Sequence, residues 1–147
     1  MIELITDRTE AHVLKLKELQ AKGWAKLTTE EQDMWYGYAA KGGYNYTDLN
    51  RVESAVAEMS EDLELGLVTK TDWTLWDFPA RADMARYLEN VRKIRNAVWG
   101  GNGLPELPIR MDYLTYKEAN TIETVLLETH KRVESVPRAG EILCGEV

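Results

Sequence analysis

A single cysteine, Cys144, occurs among the 147 residues, so no disulfide can form within the chain. Long apolar runs are also missing. None approaches the roughly 20 consecutive apolar residues that span a bilayer, so a membrane is not an expected partner. Basic residues are too few to balance the acidic ones: 18 Lys and Arg stand against 25 Asp and Glu, a net charge of -7. Phosphate backbones and anionic headgroups repel such a chain, which argues against nucleic acid as a partner. The first seven residues, Met1-Ile2-Glu3-Leu4-Ile5-Thr6-Asp7, lack a basic stretch and a long apolar core. They do not read as a secretory signal.

The chemistry-bearing residues are equally sparse. There are two histidines, His12 and His130. A di-metal helical bundle needs Glu-x-x-His pairs on facing helices, but Thr9 and Leu127 stand where the glutamates belong. His130 and Glu134 are one helical turn apart, and two ligands without a second pair hold a metal poorly. No Gly-x-Ser-x-Gly elbow is present. Nothing near Cys144 would lower the thiol pKa. The run Gly100-Gly101-Asn102-Gly103 follows a helix, whereas a phosphate cradle precedes one, so it reads as a helix cap and loop. No catalytic residue, metal site or cofactor is expected, and the chain is not expected to be an enzyme.

What remains is a chain 44% hydrophobic, of a length typical of one domain, patterned for helices. One helical domain over residues 1–147 is expected. Helix one is predicted from about Arg8 to Lys22, capped by Asp7 and stopped by Gly23, with a Val13, Leu16, Leu19 stripe. Helix two runs from about Thr29 to Ala40. Thr28 and Glu31 form its capping box, Leu27, Met34, Trp35 and Tyr38 its inner face, and Gly42-Gly43 its stop. Helix three runs from about Asp48 to Leu65 with Thr47 as its cap and a Leu49, Val52, Val56, Met59, Leu63 seam. Helix four follows Pro79 and reaches about Val98, with a Met84, Tyr87, Val91, Ile94, Val98 seam. Helix five opens on a Thr115…Glu118 box and ends before Pro137, with an Ala119, Ile122, Leu126, Thr129, Val133 seam. Seams that step by three and four residues suit helices packed in a bundle. The expected fold is therefore mainly all-α: three long helices plus two short N-terminal ones, with room for one or two short strands in a loop or at the termini.

Two connections are long. The first, 67–78, concentrates aromatics at Trp73, Trp76 and Phe78. Exposed, they would stack on sugars or anchor a protein interface. Folded back, they would seal one end of the bundle, with the Trp73 N–H on a helix carbonyl. The second, 100–112, is rich in Gly and Pro. Helix four is locally basic (Arg81, Arg86, Arg92, Lys93 and Arg95), which complements the negative end of its own dipole, pairs with acidic helices or meets an anionic partner. Asn50 and Asn120 flank core positions, and buried amides need partners. They are expected to tie down the Trp73 loop or each other's helices. A weak internal echo links Leu49-Asn50-Arg51-Val52-Glu53 to Ala119-Asn120-Thr121-Ile122-Glu123. Beyond Pro137, residues 137–147 read as an extended tail. There Ile142, Leu143 and Cys144 would pair edge-on with another chain, a second copy or the Ile2–Ile5 stretch.

Several stretches together resemble a known module. They are Leu4-Ile5-Thr6-Asp7-Arg8-Thr9, Gly23-Trp24, Tyr44-Asn45-Tyr46-Thr47-Asp48-Leu49-Asn50-Arg51-Val52-Glu53, Lys70-Thr71-Asp72-Trp73, Pro79 with Asp83-Met84, Tyr87 and Asn90, Leu114-Thr115-Tyr116-Lys117-Glu118-Ala119-Asn120, and Gly145-Glu146. The module is found in phage and prophage structural proteins, tail or baseplate-associated, of Gram-positive gut bacteria, and the likeness covers nearly the whole chain. The resemblance implies a virion structural or assembly protein, made in the bacterial cytoplasm, whose partners are other phage structural proteins or a second copy. It supplies no catalytic residues. The module commonly carries a polar capping residue after the proline, where this chain has Ala80. The alternative expectation is a glycan-binding module for host cell-wall attachment, resting on the aromatic loop.

Overall fold

The computed structural model describes residues 2–36 and 41–135. Its core is built by three amphipathic helices: α3 (Tyr46–Asp62), α4 (Arg81–Ala97) and α5 (Tyr116–Ser135). Each seam points inward. Leu49, Val52, Val56 and Met59 of α3 meet Tyr87, Val91 and Ile94 of α4 and Ile122 and Leu126 of α5 in one buried cluster. Each of the three helices packs on the other two. Leu63 and Met84, at the ends of their seams, are only partly buried against it. Fully burying one such side chain contributes about 1.5–3 kcal/mol, so these seams dominate the stability of the bundle.

Two further helices, α1 (Glu10–Lys22) and α2 (Thr29–Tyr36), precede the bundle, with a 3-10 turn at Trp24–Lys26 between them. They pack on each other. Trp24 meets Trp35 edge to face at 5.9 Å, and Leu19 is fully buried. Gly42 passes against the start of α1, where an added Cβ would lie 2.2 Å from the His12 carbonyl oxygen. That glycine is needed for close approach. The expected end of helix two beyond Tyr36, including Tyr38, lies outside the described residues, as does the 137–147 tail.

The helix starts show which caps the sequence displays openly. Thr28 with Glu31 and Thr115 with Glu118 form the expected reciprocal boxes. Two caps differ from expectation. Helix α1 starts later, at Glu10, because Thr9 is its cap and His12 Nδ1 accepts from the Thr9 N–H at 3.0 Å. Asp7 is drawn away to Lys41, which donates to both its oxygens. Helix α3 starts earlier, at Tyr46, because Asn45 caps it by accepting from Thr47 N–H at 2.8 Å. Among the described residues there are five α-helices and no strand. Segment 67–78, which had room for a short strand, forms none, because it is held by side chains of a helix and not by a neighbouring strand.

Candidate functional site

Connection 67–78 holds the clearest local construction. Asn50 on α3 grips both backbone groups of Trp73: its Oδ1 accepts from Trp73 N–H at 2.7 Å, and its Nδ2 donates to Trp73 C=O at 2.9 Å. One turn further along α3, the buried Glu53 accepts from Trp73 Nε1 at 2.7 Å and from Lys70 N–H at 3.1 Å. Arg86 of α4 completes the pairing of this carboxylate. Trp73 is thus only 5% exposed and joins the core. The expected tie from Asn50 to the Trp73 loop is present. The indole N–H, however, goes to a carboxylate and not to a helix carbonyl.

The other two aromatics of the loop face solvent: Trp76 is 81% and Phe78 92% exposed. They alternate in sequence with Leu75, Asp77 and Pro79, which together with Thr74 line a cleft of about 560 Å³, whereas Trp76 and Phe78 are not among its lining residues. Its floor is largely apolar, formed by Leu49 of α3, Met84 of α4, and Met111 and Leu114 of the loop that leads into α5. Tyr113, between the lining residues Asp112 and Leu114, is 92% exposed and sits at φ +57°. A bulky side chain in that left-handed region is strained.

The polar groups of the cleft are mostly engaged. Asn45 caps α3, and Asp77 accepts from Thr74 N–H at 2.7 Å. Tyr44 and Tyr87 share a hydrogen bond between their hydroxyls. Burial pushes both phenols well above the usual tyrosine range, so both stay protonated at neutral pH. Asp112 remains an exposed carboxylate at the rim. This arrangement can seat apolar groups, with the Asp112 carboxylate at the rim as a polar contact.

The remaining candidates are placed as follows. Ile142, Leu143 and Cys144 lie outside the described residues. His12 accepts from the N–H of the cap residue Thr9 at the start of α1, and His130 pairs with Glu134 at 2.9 Å. Among the described residues no group of three or more His, Cys, Asp or Glu is placed to hold a metal ion. No described helix is long and apolar enough to cross a membrane. The glycine run forms a 3-10 turn, Trp99–Gly101, directly after α4. The basic face of α4 is largely spent within the chain. Arg86 serves Glu53, Arg92 serves Glu89, and Arg95 donates to the Leu104 and Pro105 carbonyls.

A second buried polar cluster was not foreseen from sequence. Arg8, 4% exposed, donates to Asp48 at 3.0 Å and to Glu123 at 2.9 Å. Arg51 joins the same two carboxylates at 2.5 Å each. Asn120 accepts from Arg8 N–H at 3.0 Å and donates to Arg8 C=O at 2.9 Å. The signal available in sequence was the Asn50 and Asn120 echo, which points to this cluster once both asparagines are seen to hold backbone.

No family model, no curated protein and no solved structure matches the chain. The phage, prophage, virion, tail and baseplate terms drawn from the resemblance are corrected accordingly, since none of the three comparisons supports them.

Proposed function

We propose that this chain is a structural or assembly protein that acts through protein–protein contacts and carries out no chemistry of its own. Its contact surface is the apolar cleft at the starts of α3 and α4 together with the exposed aromatics of the two loops that line it. The observation that carries this reading is the exposure of Trp76, Phe78 and Tyr113 on the same two loops whose neighbouring residues line an apolar cleft. Large aromatics left in water beside a concave apolar patch are the residues that dominate protein interfaces when covered. The occupant is a partner protein that inserts an apolar side chain into the cleft and packs against the exposed aromatics. A helical bundle holds such a surface rigid, so little entropy is lost on docking.

The glycan-binding alternative keeps Trp76 and Phe78 but loses Trp73, whose faces and N–H are taken up inside the fold. One experiment separates the two. Proteins captured from the source cell by the full chain are purified and titrated against it by Trp fluorescence. The same titration is run with the Trp76→Ala/Phe78→Ala chain and with cell-wall oligosaccharides. The expected result is saturable binding of a protein that weakens at least about thirtyfold in the double variant, with melting unchanged. Equal binding by parent and variant, or saturation by oligosaccharide alone, overturns the proposal.

A further inference from the structure

The internal echo extends from residues into contacts. Tyr46, Asn50, Val52 and Glu53 of α3 match Tyr116, Asn120, Ile122 and Glu123 of α5 at one constant offset. The extended segments that these helices hold also match. Thr6, Asp7 and Thr9 correspond to Thr71, Asp72 and Thr74, with Arg8 opposite Trp73. The bonds that Asn50 and Glu53 make at the Trp73 site then have counterparts. Asn50 brackets the backbone of Trp73 as Asn120 brackets that of Arg8. Glu53 accepts from Lys70 N–H as Glu123 accepts from Ile5 N–H, each three residues before the bracketed one. Glu53 takes the Trp73 side chain and Arg86, as Glu123 takes the Arg8 side chain and Arg51.

The chain therefore repeats one plan, an extended arm, then helix (α1 and α2 in the first unit, α4 in the second), then a clamp helix carrying Asn-x-x-Glu. The arms cross. Arm 2–9 belongs to the first unit and sits on α5 of the second, while arm 67–74 belongs to the second and sits on α3 of the first. Charge explains which arm goes where. At the α3 clamp Arg86 balances Glu53, and the arm supplies a neutral indole. At the α5 clamp, among the described residues, Arg51 is the one cation besides Arg8 paired with Glu123 and Asp48, which leaves one negative charge for Arg8 to neutralise.

We infer that the α5 clamp is a segment-binding site, with Asn120, Glu123 and Asp48 as its reading groups, and that its ligand besides its own arm is the Ile5-Thr6-Asp7-Arg8 segment of a second copy of this chain. The contact already joins one unit to another inside the chain, and a second copy offers the same groups in the same order. Exchange of an identical element creates no new contact to be optimised. The chain's own arm competes at an effective concentration of about millimolar. Exchange is therefore favoured when chains fold together at high concentration.

Charge reversal tests it. The full chain is made as Arg8→Glu and as Glu123→Arg, each of which faces like charge at its own clamp. In an arm-exchanged pair the carboxylate introduced by Arg8→Glu would meet the guanidinium introduced by Glu123→Arg. The unchanged Arg8 of one chain would meet the unchanged Glu123 of the other, so both sites are balanced. Co-refolded in equal amounts, the two should give a species of twice the chain mass that melts above either parent. The chain carrying both changes should fold as a monomer. If that doubly changed chain folds and the mixture still holds only the two parents, the inference fails. If it does not fold, the parent chain decides. Two isotopically distinct preparations are refolded together at about millimolar and weighed by native mass spectrometry. Mixed dimers whose yield drops at least tenfold with Arg8→Ala in both chains support exchange. Monomers only, or dimers indifferent to Arg8→Ala, overturn it.

Discussion

At the scale of single residues, the interior holds polar groups with very different accounts. Glu53 and Glu123 are almost wholly buried, yet each accepts from a backbone N–H, from an arm side chain and from an arginine. Such carboxylates are held in place by their partners, and removing one partner strands the charge. Thr129 is the opposite case. It is fully buried, and among the described residues its Oγ1 has no hydrogen-bond partner. An unmade bond costs the desolvation of the hydroxyl, about 1–3 kcal/mol. Thr129→Val, which keeps the shape and removes the hydroxyl, is expected to stabilise the chain by about 1 kcal/mol. Urea unfolding followed by circular dichroism measures this, and a midpoint at or below that of the parent would refute it.

At the scale of elements, the helix starts divide into those the sequence displays and those it hides. Thr28 with Glu31 and Thr115 with Glu118 were legible, because a capping box is complete within four consecutive residues. Thr9 and Asn45 were not, because each has a second plausible cap two residues away. Tertiary pairing decides between them: Lys41 takes Asp7, and Arg8 and Arg51 converge on Asp48. The same holds for the site. The seams of α3, α4 and α5 were readable from spacing, and so was the tie from Asn50 to the Trp73 loop. Which aromatic turns inward was not, since it depends on Glu53, a residue that pattern alone assigns to a solvated face. Helix α4 still lacks half of its cap. Asp83 accepts from Ala80 N–H at 2.8 Å, but Ala80 has no side-chain oxygen to return the bond to the first turn. Ala80→Ser should complete the box and stabilise by about 1 kcal/mol. The check is thermal melting of the full chain, and an unchanged midpoint would mean that the first turn of α4 is already satisfied.

At the scale of the whole molecule, stability rests on the three-helix core and on the buried polar layer across its end. Val91, fully buried between the seams, tests the first. Val91→Asp places an unpaired carboxylate there and should cost about 3–5 kcal/mol; a variant that melts like the parent would refute the packing. Tyr44 and Tyr87 test the second. Burial holds both phenols above the usual value near 10. A group whose folded pKa is raised binds its proton more tightly in the folded state. Its contribution is fully present below the unfolded pKa near 10 and is lost as pH rises through the folded value. Between these limits the unfolded chain ionises first, so stability falls with rising pH by up to about 1.4 kcal/mol per pH unit for each tyrosine. Replacing both with phenylalanine removes the two hydroxyls together and leaves neither without its partner. Urea unfolding at pH 8, 10 and 11 should then show a steep alkaline decline in the parent and a shallower one in the double variant, with the two closest at pH 8. Parallel declines would mean that the phenol pair is not what the alkaline chain loses first.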